Sequence, residues 1–234
     1  MKFNYSHIAL ILLLISTPSL QAQKNSFIRL DRERVVLYGD TLKINQLDSL
    51  TLRFVNQKLT DKAQALNNLG IQASSEKEPD LALRYFSEAI DYNPLYTPAR
   101  VNRAKLYLYR SEWQAAIDDL QQAIKLEPDS TQNYQICAYA FAKQAKWQHA
   151  LPLLNNALEL APTNAMLWND RGLTYQNLKN LVKAGEHFQE AIRLNPNLAE
   201  AFQNLGNLKM IVEDYKGAIN LFTKAYKNTF AAAS

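Results

Sequence analysis

Residues 165–196 read AMLWNDRGLTYQNLKNLVKAGEHFQEAIRLNP, and the same pattern recurs when the window is shifted by 34 residues in either direction. Four prolines share this spacing, at Pro94, Pro128, Pro162 and Pro196. Glycine or alanine occupies three further offsets in all five windows: Gly70, Ala104, Ala138, Gly172 and Gly206; Ala82, Ala116, Ala150, Ala184 and Ala218; Ala89, Ala123, Ala157, Ala191 and Ala225. A constant period of this length indicates a repeat protein built from one supersecondary unit used several times.

The window that begins at Ala165 has the residue types of a known repeat in the expected order. Bulky, small, aromatic, small, aromatic, small and proline residues follow one another as Trp168, Gly172, Tyr175, Ala184, Phe188, Ala191 and Pro196. This pattern resembles that of the tetratricopeptide repeat family. The resemblance covers residues 63–230 and implies an all-α fold, a right-handed α-solenoid of about five helix-turn-helix repeats.

The register of the pattern predicts where each repeat begins and ends. We expect the five repeats at residues 63–96, 97–130, 131–164, 165–198 and 199–230. In each repeat the first helix is called A and the second B, and positions are numbered from the first residue of the repeat. Glycine or alanine at positions 8, 20 and 27 lets the helices approach closely, and phenylalanine or leucine at position 24 fills the gaps. Proline at position 32 ends helix B because it has no N–H to donate.

The first 22 residues have the features of a secretory signal peptide. Lys2 supplies the positive charge, the apolar run IALILLLI spans residues 8–15, and Ala22 is a small residue suited to cleavage. An apolar run this short cannot cross a bilayer, which requires roughly 20 residues. We therefore expect a bacterial protein that is exported to the periplasm or secreted and has no stable membrane span after cleavage. An uncleaved N-terminal anchor is the alternative.

Two short segments separate the predicted signal peptide from the repeats. Residues 23–46 alternate around a turn signal at Gly39-Asp40, which predicts either a short hairpin or an irregular lead-in. Residues 47–60 have a capping signal at Asp48-Ser49 and an apolar stripe, which predicts a helix that covers the open end of the first repeat.

Composition and motifs argue against several classes of function. The formal net charge is only +4 and the sequence has no run of basic residues, so nucleic-acid binding is not predicted. The single cysteine, Cys137, excludes an intrachain disulfide and paired-cysteine metal sites, and we expect it to be buried. His149 and His187 lie in different repeats without acidic or cysteine companions, so we expect them on the surface. No catalytic motif is present, and we predict a non-enzymatic protein without metal or cofactor.

The predicted concave face of the solenoid consists of A-helix positions 2, 5, 6, 9, 12 and 13. Polar side chains recur at three of these positions and are the candidate groove residues: Asn67, Asn68, Asn102, Lys105, Gln135, Tyr139, Asn169, Asp170, Gln203, Asn204 and Asn207. Side-chain amides can both donate to and accept from a peptide backbone. The pattern resembles the asparagine ladder with which some tetratricopeptide domains hold peptides, although asparagine at position 6 is common throughout the family. The lysines and arginines of the family's carboxylate clamp are absent, so that mode is not predicted.

The last B helix is predicted over residues 215–228 and presents an apolar face of Ile219, Phe222 and Tyr226. This face is either a surface for docking or self-association or a frayed end. We therefore predict a protein–protein interaction scaffold that binds a protein or peptide in the concave groove. The alternative is a structural subunit of a cell-envelope assembly that docks through this helix. A weaker alternative, an enzyme or carbohydrate binder, would use Trp113, Trp147 and Tyr139, but tryptophan at position 17 normally packs between helices.

Overall fold

Ten helices follow a small β-sheet in the part of the chain that the computed structural model describes, residues 28–31, 34–37, 40–43 and 49–231. The strands are β1 (Ile28–Asp31), β2 (Arg34–Leu37) and β3 (Asp40–Lys43). The helices are α1 (Ser49–Ser75), α2 (Pro79–Tyr92), α3 (Thr97–Tyr109), α4 (Trp113–Leu126), α5 (Thr131–Lys143), α6 (Trp147–Leu160), α7 (Ala165–Asn177), α8 (Leu181–Leu194), α9 (Ala199–Ile211) and α10 (Tyr215–Ala231). The predicted signal peptide lies outside the described residues. No described helix is both long and apolar enough to cross a bilayer.

The helix starts repeat with the period of the sequence. Helices α3, α5, α7 and α9 begin at Thr97, Thr131, Ala165 and Ala199, which are the predicted starts of repeats two to five. The B helices α2, α4, α6, α8 and α10 begin 16 residues after each repeat start, at residues 79, 113, 147, 181 and 215. The chain is thus a succession of A–B helix pairs.

Helix α1 differs from the expected arrangement at the N-terminus. The sequence predicted a separate capping helix that ends at Thr60 and a first A helix that begins at Ala63, but α1 runs unbroken from Ser49 to Ser75. No glycine or proline precedes Gly70 within this helix, so nothing in the chain interrupts its hydrogen bonds. The first A helix therefore carries a long N-terminal extension.

The residues before α1 form three antiparallel strands in the order β1-β2-β3. Ile28 is paired with Leu37, and Arg34 with Lys43. The sequence predicted one hairpin or an irregular segment here, and the structure adds a third strand. Short strands of this kind form readily where β-branched residues such as Val35 and Val36 follow one another.

Each A helix ends in a left-handed residue that is not glycine. The five residues share one position in the repeat and have positive φ: Lys77 (63°), Ser111 (62°), Ala145 (56°), Lys179 (65°) and Glu213 (62°). In the fourth repeat the N–H of Asn180 donates to the carbonyl oxygen of Tyr175 at 2.9 Å, and that of Lys179 donates to Gln176 at 3.0 Å. These two bonds form a Schellman motif, which satisfies carbonyls that the helix end leaves free. The turn between helices A and B is therefore built the same way in every repeat.

The core consists of the predicted small residues and the side chains that fill the space between them. In residues 1–103 the buried cluster includes Ala63, Leu66, Ala89, Ile90 and Ala99. In residues 104–234 two clusters form around α4–α7 and around α8–α9. Cys137 is fully buried, as predicted, and burial raises the pKa of its thiol to about 12. An unreactive, buried thiol has a packing role.

Positions 8 and 24 have compensating sizes in every repeat. A β carbon on Gly70 would lie 2.5 Å from Cε1 of Phe86, and one on Gly206 would lie 2.6 Å from Cε1 of Phe222. The two repeats that have alanine at position 8 have leucine at position 24, as Ala104 with Leu120 and Ala138 with Leu154. Glycine makes room for a phenylalanine ring, while alanine is accompanied by the smaller leucine.

Candidate functional site

The predicted groove asparagines bind each other across neighbouring A helices. Nδ2 of Asn102 donates to Oδ1 of Asn67 at 2.9 Å, and Nδ2 of Asn204 donates to Oδ1 of Asn169 at 2.9 Å. Asn67 and Asn169 are only 4% and 8% exposed. The sequence predicts these amides as ligands of a peptide, but at position 5 the asparagines are too deeply buried for that role. Asn67 and Asn169 are buried residues that hold successive A helices together.

A similar bond joins the third and fourth repeats and extends the network. Nε2 of Gln135 donates to Oδ2 of Asp170 at 2.8 Å. Burial raises the pKa of the Asp170 carboxyl, while hydrogen bonds from Gln135 and Asn169 oppose that shift. Gln135, Asp170, Asn169 and Asn204 thus form one polar network across α5, α7 and α9. Because buried polar groups are stable only when they are paired, this network determines the spacing of the three helices.

Position 9 supplies the accessible part of this surface. Its side chains are exposed in all five repeats: Ile71, Lys105, Tyr139, Leu173 and Asn207. Among the other candidates, Asn68 and Gln203 are exposed, and Asn102, Gln135, Asp170 and Asn204 are partly buried. A partner that approaches the A helices therefore meets position 9 first. We call the exposed surface that Tyr139 and Leu173 share with their neighbours on α5 and α7 the A-helix face.

A small pocket of about 60 Å³ opens on the A-helix face among α5, α6 and α7. Its lining residues are Gln135, Ala138, Tyr139, Ala142, Trp147, Leu154, Asp170, Leu173 and Thr174. The walls are mostly apolar, and Gln135 and Asp170 form the polar edge. A cavity of this size has room for a few water molecules or one short aliphatic side chain.

Three of these lining residues, Gln135, Tyr139 and Asp170, are groove candidates that the sequence predicts, and Trp147 belongs to the weaker alternative of an enzyme or carbohydrate binder. Its place at position 17 predicts that Trp147 packs between helices, and in the structure it is half-buried and also lines the pocket. One signal in the sequence was Ala142, one helical turn after Ala138 on α5, because a small, partly exposed residue leaves space for a ligand.

A lysine flanks the pocket. Nζ of Lys143 lies 5.0 Å from the centre of the Tyr139 ring, within the range of a cation–π contact. Tyr139 is 51% exposed, so this contact holds a solvent-exposed aromatic ring at the mouth of the pocket. The mouth therefore combines an aromatic surface with a positive charge.

His187 is not the surface residue that the sequence predicted. Its ring lies 5.3 Å from that of Trp168 and 5.0 Å from that of Tyr175, in edge-on contact with both. Burial, together with the charges of Arg171 and Lys183, lowers its pKa to about 4. The histidine is therefore a neutral packing residue at neutral pH. His149 is exposed, as predicted, and stacks on Phe141.

The predicted docking face of α10 is only partly available. Ile219 and Tyr226 are 67% and 64% exposed. Phe222 is partly buried because its ring packs on Gly206 within the same repeat. Phe222, at position 24, therefore belongs to the interior of the repeat and is not part of the exposed docking face. In the part of the chain with described side chains, no cluster of histidine, cysteine and acidic residues has the arrangement of a metal site.

Models of the tetratricopeptide repeat match residues 67–131 and residues 165–198. Tetratricopeptide repeat protein 6 of Homo sapiens is 25% identical over 173 residues, which cover 74% of this chain and 33% of that protein. The chain thus spans about a third of the length of this curated relative.

Two solved structures have a similar fold. MamA 41-end from Desulfovibrio magneticus RS-1 has a TM-score of 0.67 at 24% identity, over 75% of this chain and 99% of that one. YrrB, described as a TPR protein with an unusual peptide-binding site, has a TM-score of 0.60 at 21% identity, over 77% of this chain and 92% of that one. At these identities the similarity establishes an all-α helical repeat fold.

Proposed function

Since the chain is a tetratricopeptide repeat protein, we propose that it is an exported, non-enzymatic scaffold that binds an extended peptide or protein segment on its A-helix face. The observation that carries this proposal is the pocket between Tyr139 and Leu173. There an exposed apolar surface, free volume and hydrogen-bonding groups occur together. Ligand sites typically combine apolar walls with a few placed polar groups.

The pocket indicates which part of a peptide it accommodates. Ala138, Ala142 and Leu154 form walls without hydrogen-bonding groups, so the occupant is an aliphatic side chain the size of valine or leucine. Gln135 and Asp170 lie at the edge, where a peptide main chain would pass. A carboxylate accepts hydrogen bonds from backbone N–H groups, and the Gln135 carbonyl oxygen does the same. Such contacts favour an extended segment over a helix, whose own N–H groups are already used.

Export is proposed from residues 1–22 alone. A scaffold in the periplasm or outside the cell would encounter segments of other exported proteins. The fold neighbour YrrB is described by its peptide-binding site, which supports a peptide as the ligand class on a similar fold.

Peptide selection followed by affinity measurement tests the proposal. The chain from residue 23 onward is used to select from a random peptide library, and binding of the enriched peptides is measured by fluorescence anisotropy. Tyr139→Ala removes the rim of the pocket and Ala142→Leu fills it. Both are expected to weaken binding about tenfold or more. Tyr109→Ala is the matched control, because Tyr109 is an exposed tyrosine on another A helix outside the pocket. Equal weakening by all three substitutions, or none by the first two, contradicts the proposal.

A second candidate function is a structural subunit of an envelope assembly. The exposed Ile219 and Tyr226 favour it, because they lie seven residues apart on one face of α10, and contiguous exposed apolar patches mark interaction surfaces. Membrane fractionation of cells that express the wild type or Ile219→Glu tests this role. Loss of envelope association in the variant supports it, and unchanged association contradicts it.

A further inference from the structure

The contact between α8 and α9 shows how one repeat receives the next. Leu205 and Leu208, at positions 7 and 10 of α9, are 6% and 5% exposed and pack with Ala184 and Phe188 of α8. A β carbon on Gly185, at position 21, would lie 3.3 Å from Cδ2 of Leu208. Position 10 of an A helix thus lies on position 21 of the preceding B helix. Helices joined by a short turn run antiparallel, so positions 3 and 28 meet at the other end.

The B-helix half of this contact is exposed to solvent on α10. Ile219 at position 21 and Tyr226 at position 28 are 67% and 64% exposed, and Tyr215 at position 17 is 56% exposed. The equivalent residues of inner repeats are covered: Ile117 at position 21 is 1% exposed, and Leu158 at position 28 is 5% exposed. Helix α10 therefore presents a surface of the kind that inner repeats use to receive an A helix.

The A-helix half of the same contact is bare on α1. Ala65, Leu69 and Gln72, at positions 3, 7 and 10, are all exposed, and Leu69 is 43% exposed. Most of the equivalent residues of α5, α7 and α9 are buried, and only Arg171, at position 7 of α7, is partly buried. The buried ones include Leu167 and Ala201 at position 3, Cys137 and Leu205 at position 7, and Ala140 and Leu208 at position 10. Helix α1 therefore presents the surface that inner A helices place against a preceding B helix.

We propose that the exposed face of α10 binds α1 of a second copy of this chain, in the register by which α8 receives α9. In that register Gln72 of the second copy lies on Ile219, and Ala65 lies near Tyr226. Glu76, one turn after Gln72 on the same face of α1, comes close to Lys216 at the start of α10. Helix α10 carries three lysines and no acidic residue, so this end of the contact joins opposite charges.

The two faces of this contact differ, so the association is head to tail. A heterologous contact of this kind continues from copy to copy until the series closes into a ring or remains an open filament. The proposal concerns the two end faces and does not depend on the peptide site of the A-helix face.

Complementary variants test the contact in the whole chain from residue 23 onward. Ile219→Glu blocks the α10 face and Leu69→Glu blocks the α1 face, and both residues are exposed, so neither substitution buries a charge in the fold. Mass is measured by light scattering over a series of protein concentrations. The wild type is expected at least to double in mean mass between low and high micromolar concentration. Each variant alone stays monomeric, and an equimolar mixture of the two forms a dimer and nothing larger, because only one competent contact remains.

Val182→Glu is the matched control, since Val182 is the most exposed of the large apolar side chains on the other B helices and lies outside both end faces. It is expected to associate like the wild type, and circular dichroism verifies the fold of each variant. A wild type that stays monomeric at every concentration overturns the proposal. So does an association that Leu69→Glu leaves intact while Ile219→Glu abolishes it, because that result indicates contact between two α10 helices. A mixture of the two variants that stays monomeric also overturns it.

Discussion

The ring of Phe188 occupies the space in which a β carbon on Gly172 would stand. Such a carbon would lie 2.7 Å from both Cδ1 and Cε1 of the ring and 3.3 Å from the carbonyl oxygen of Ala184. Phe188 is fully buried, so its ring cannot move into solvent to relieve the overlap. The absence of a side chain at residue 172 is therefore a condition for the position of Phe188.

Gly172→Ala is expected to destabilise the protein by about 1–3 kcal/mol, the usual cost of overpacking a close-packed interior. The double variant Gly172→Ala/Phe188→Leu recovers much of this loss, because it has the pair of residues found in the second and third repeats. Urea unfolding followed by circular dichroism measures both, and a double-mutant cycle gives the coupling between the two positions. Additive effects of the two substitutions would contradict the size compensation.

The left-handed residues at the ends of the A helices predict a stabilising substitution. Ala145 has φ 56°, a conformation that costs a residue with a β carbon about 1 kcal/mol relative to glycine. Ala145→Gly is expected to raise the free energy of unfolding by up to about 1 kcal/mol, since glycine is the preferred residue at this end of a Schellman motif. Ala115→Gly is the control, because Ala115 lies in right-handed helix α4 and glycine there costs about 1 kcal/mol. The prediction requires that Ala145→Gly and Ala115→Gly change the free energy of unfolding in opposite directions.

The polar network predicts unequal roles for two asparagines on A helices. Asn169→Ala leaves Nδ2 of Asn204 without its acceptor and takes a donor from Asp170. We expect a loss of about 1–3 kcal/mol, the cost of leaving a buried polar group unpaired. Asn68→Ala, at an exposed position, is expected to change stability by less than about 0.5 kcal/mol. Thermal unfolding of both variants measures the two losses of stability, and equal losses would show that the network is not structural.

An apolar replacement of both partners gives a further check on the network. The second and third repeats carry Val101 and Ile136 at the two network positions, so the fold accepts aliphatic residues there. Asn169→Val/Asn204→Ile is therefore expected to be closer to the wild type than Asn169→Ala, because no polar atom of that pair remains unpaired. A double variant less stable than the single one would contradict this reasoning.

The environment of His187 predicts a dependence of stability on pH. Its pKa is lowered from 6.5 to about 4 by burial and by Arg171 and Lys183. Between these values the unfolded chain binds a proton that the folded chain excludes, so folding stability falls as the pH drops from about 6.5 to about 4. His187→Gln is expected to lack this part of the pH dependence, and His149→Gln is the exposed-histidine control. An NMR titration of the wild type checks the cause directly, and a His187 pKa near 6.5 would contradict it.

The repeat architecture was predictable because it rests on a period. Positions 8, 20 and 27 need a small residue because neighbouring helices approach each other closely there. This requirement recurs at the same offset in every repeat. Positions at which the residue type varies from repeat to repeat were harder to interpret. Nothing in the types of Lys77, Ser111 and Ala145 announces a left-handed conformation, because the turn imposes it on whatever residue is present.

The candidate site shows the same division. Periodicity places Asn67 and Asn169 on the same helix face as Tyr139, but a helix face does not reveal which of its residues lie against a neighbouring helix. Amides that bond a peptide and amides that bond each other have the same residue type. The pocket depends on the relative position of three helices, α5, α6 and α7, and only the structure supplies that.

The pairing of positions 8 and 24 also has a consequence for the order in which such repeats can diverge. A repeat that passes from glycine with phenylalanine to alanine with leucine needs two substitutions. If alanine arises first, the intermediate has the overlap described for Gly172 and Phe188. If leucine arises first, the intermediate has only a small void, whose cost is lower where neighbouring side chains relax into it. A repeat that has glycine with phenylalanine thus has a preferred order of substitution, in which the large residue changes before the small one.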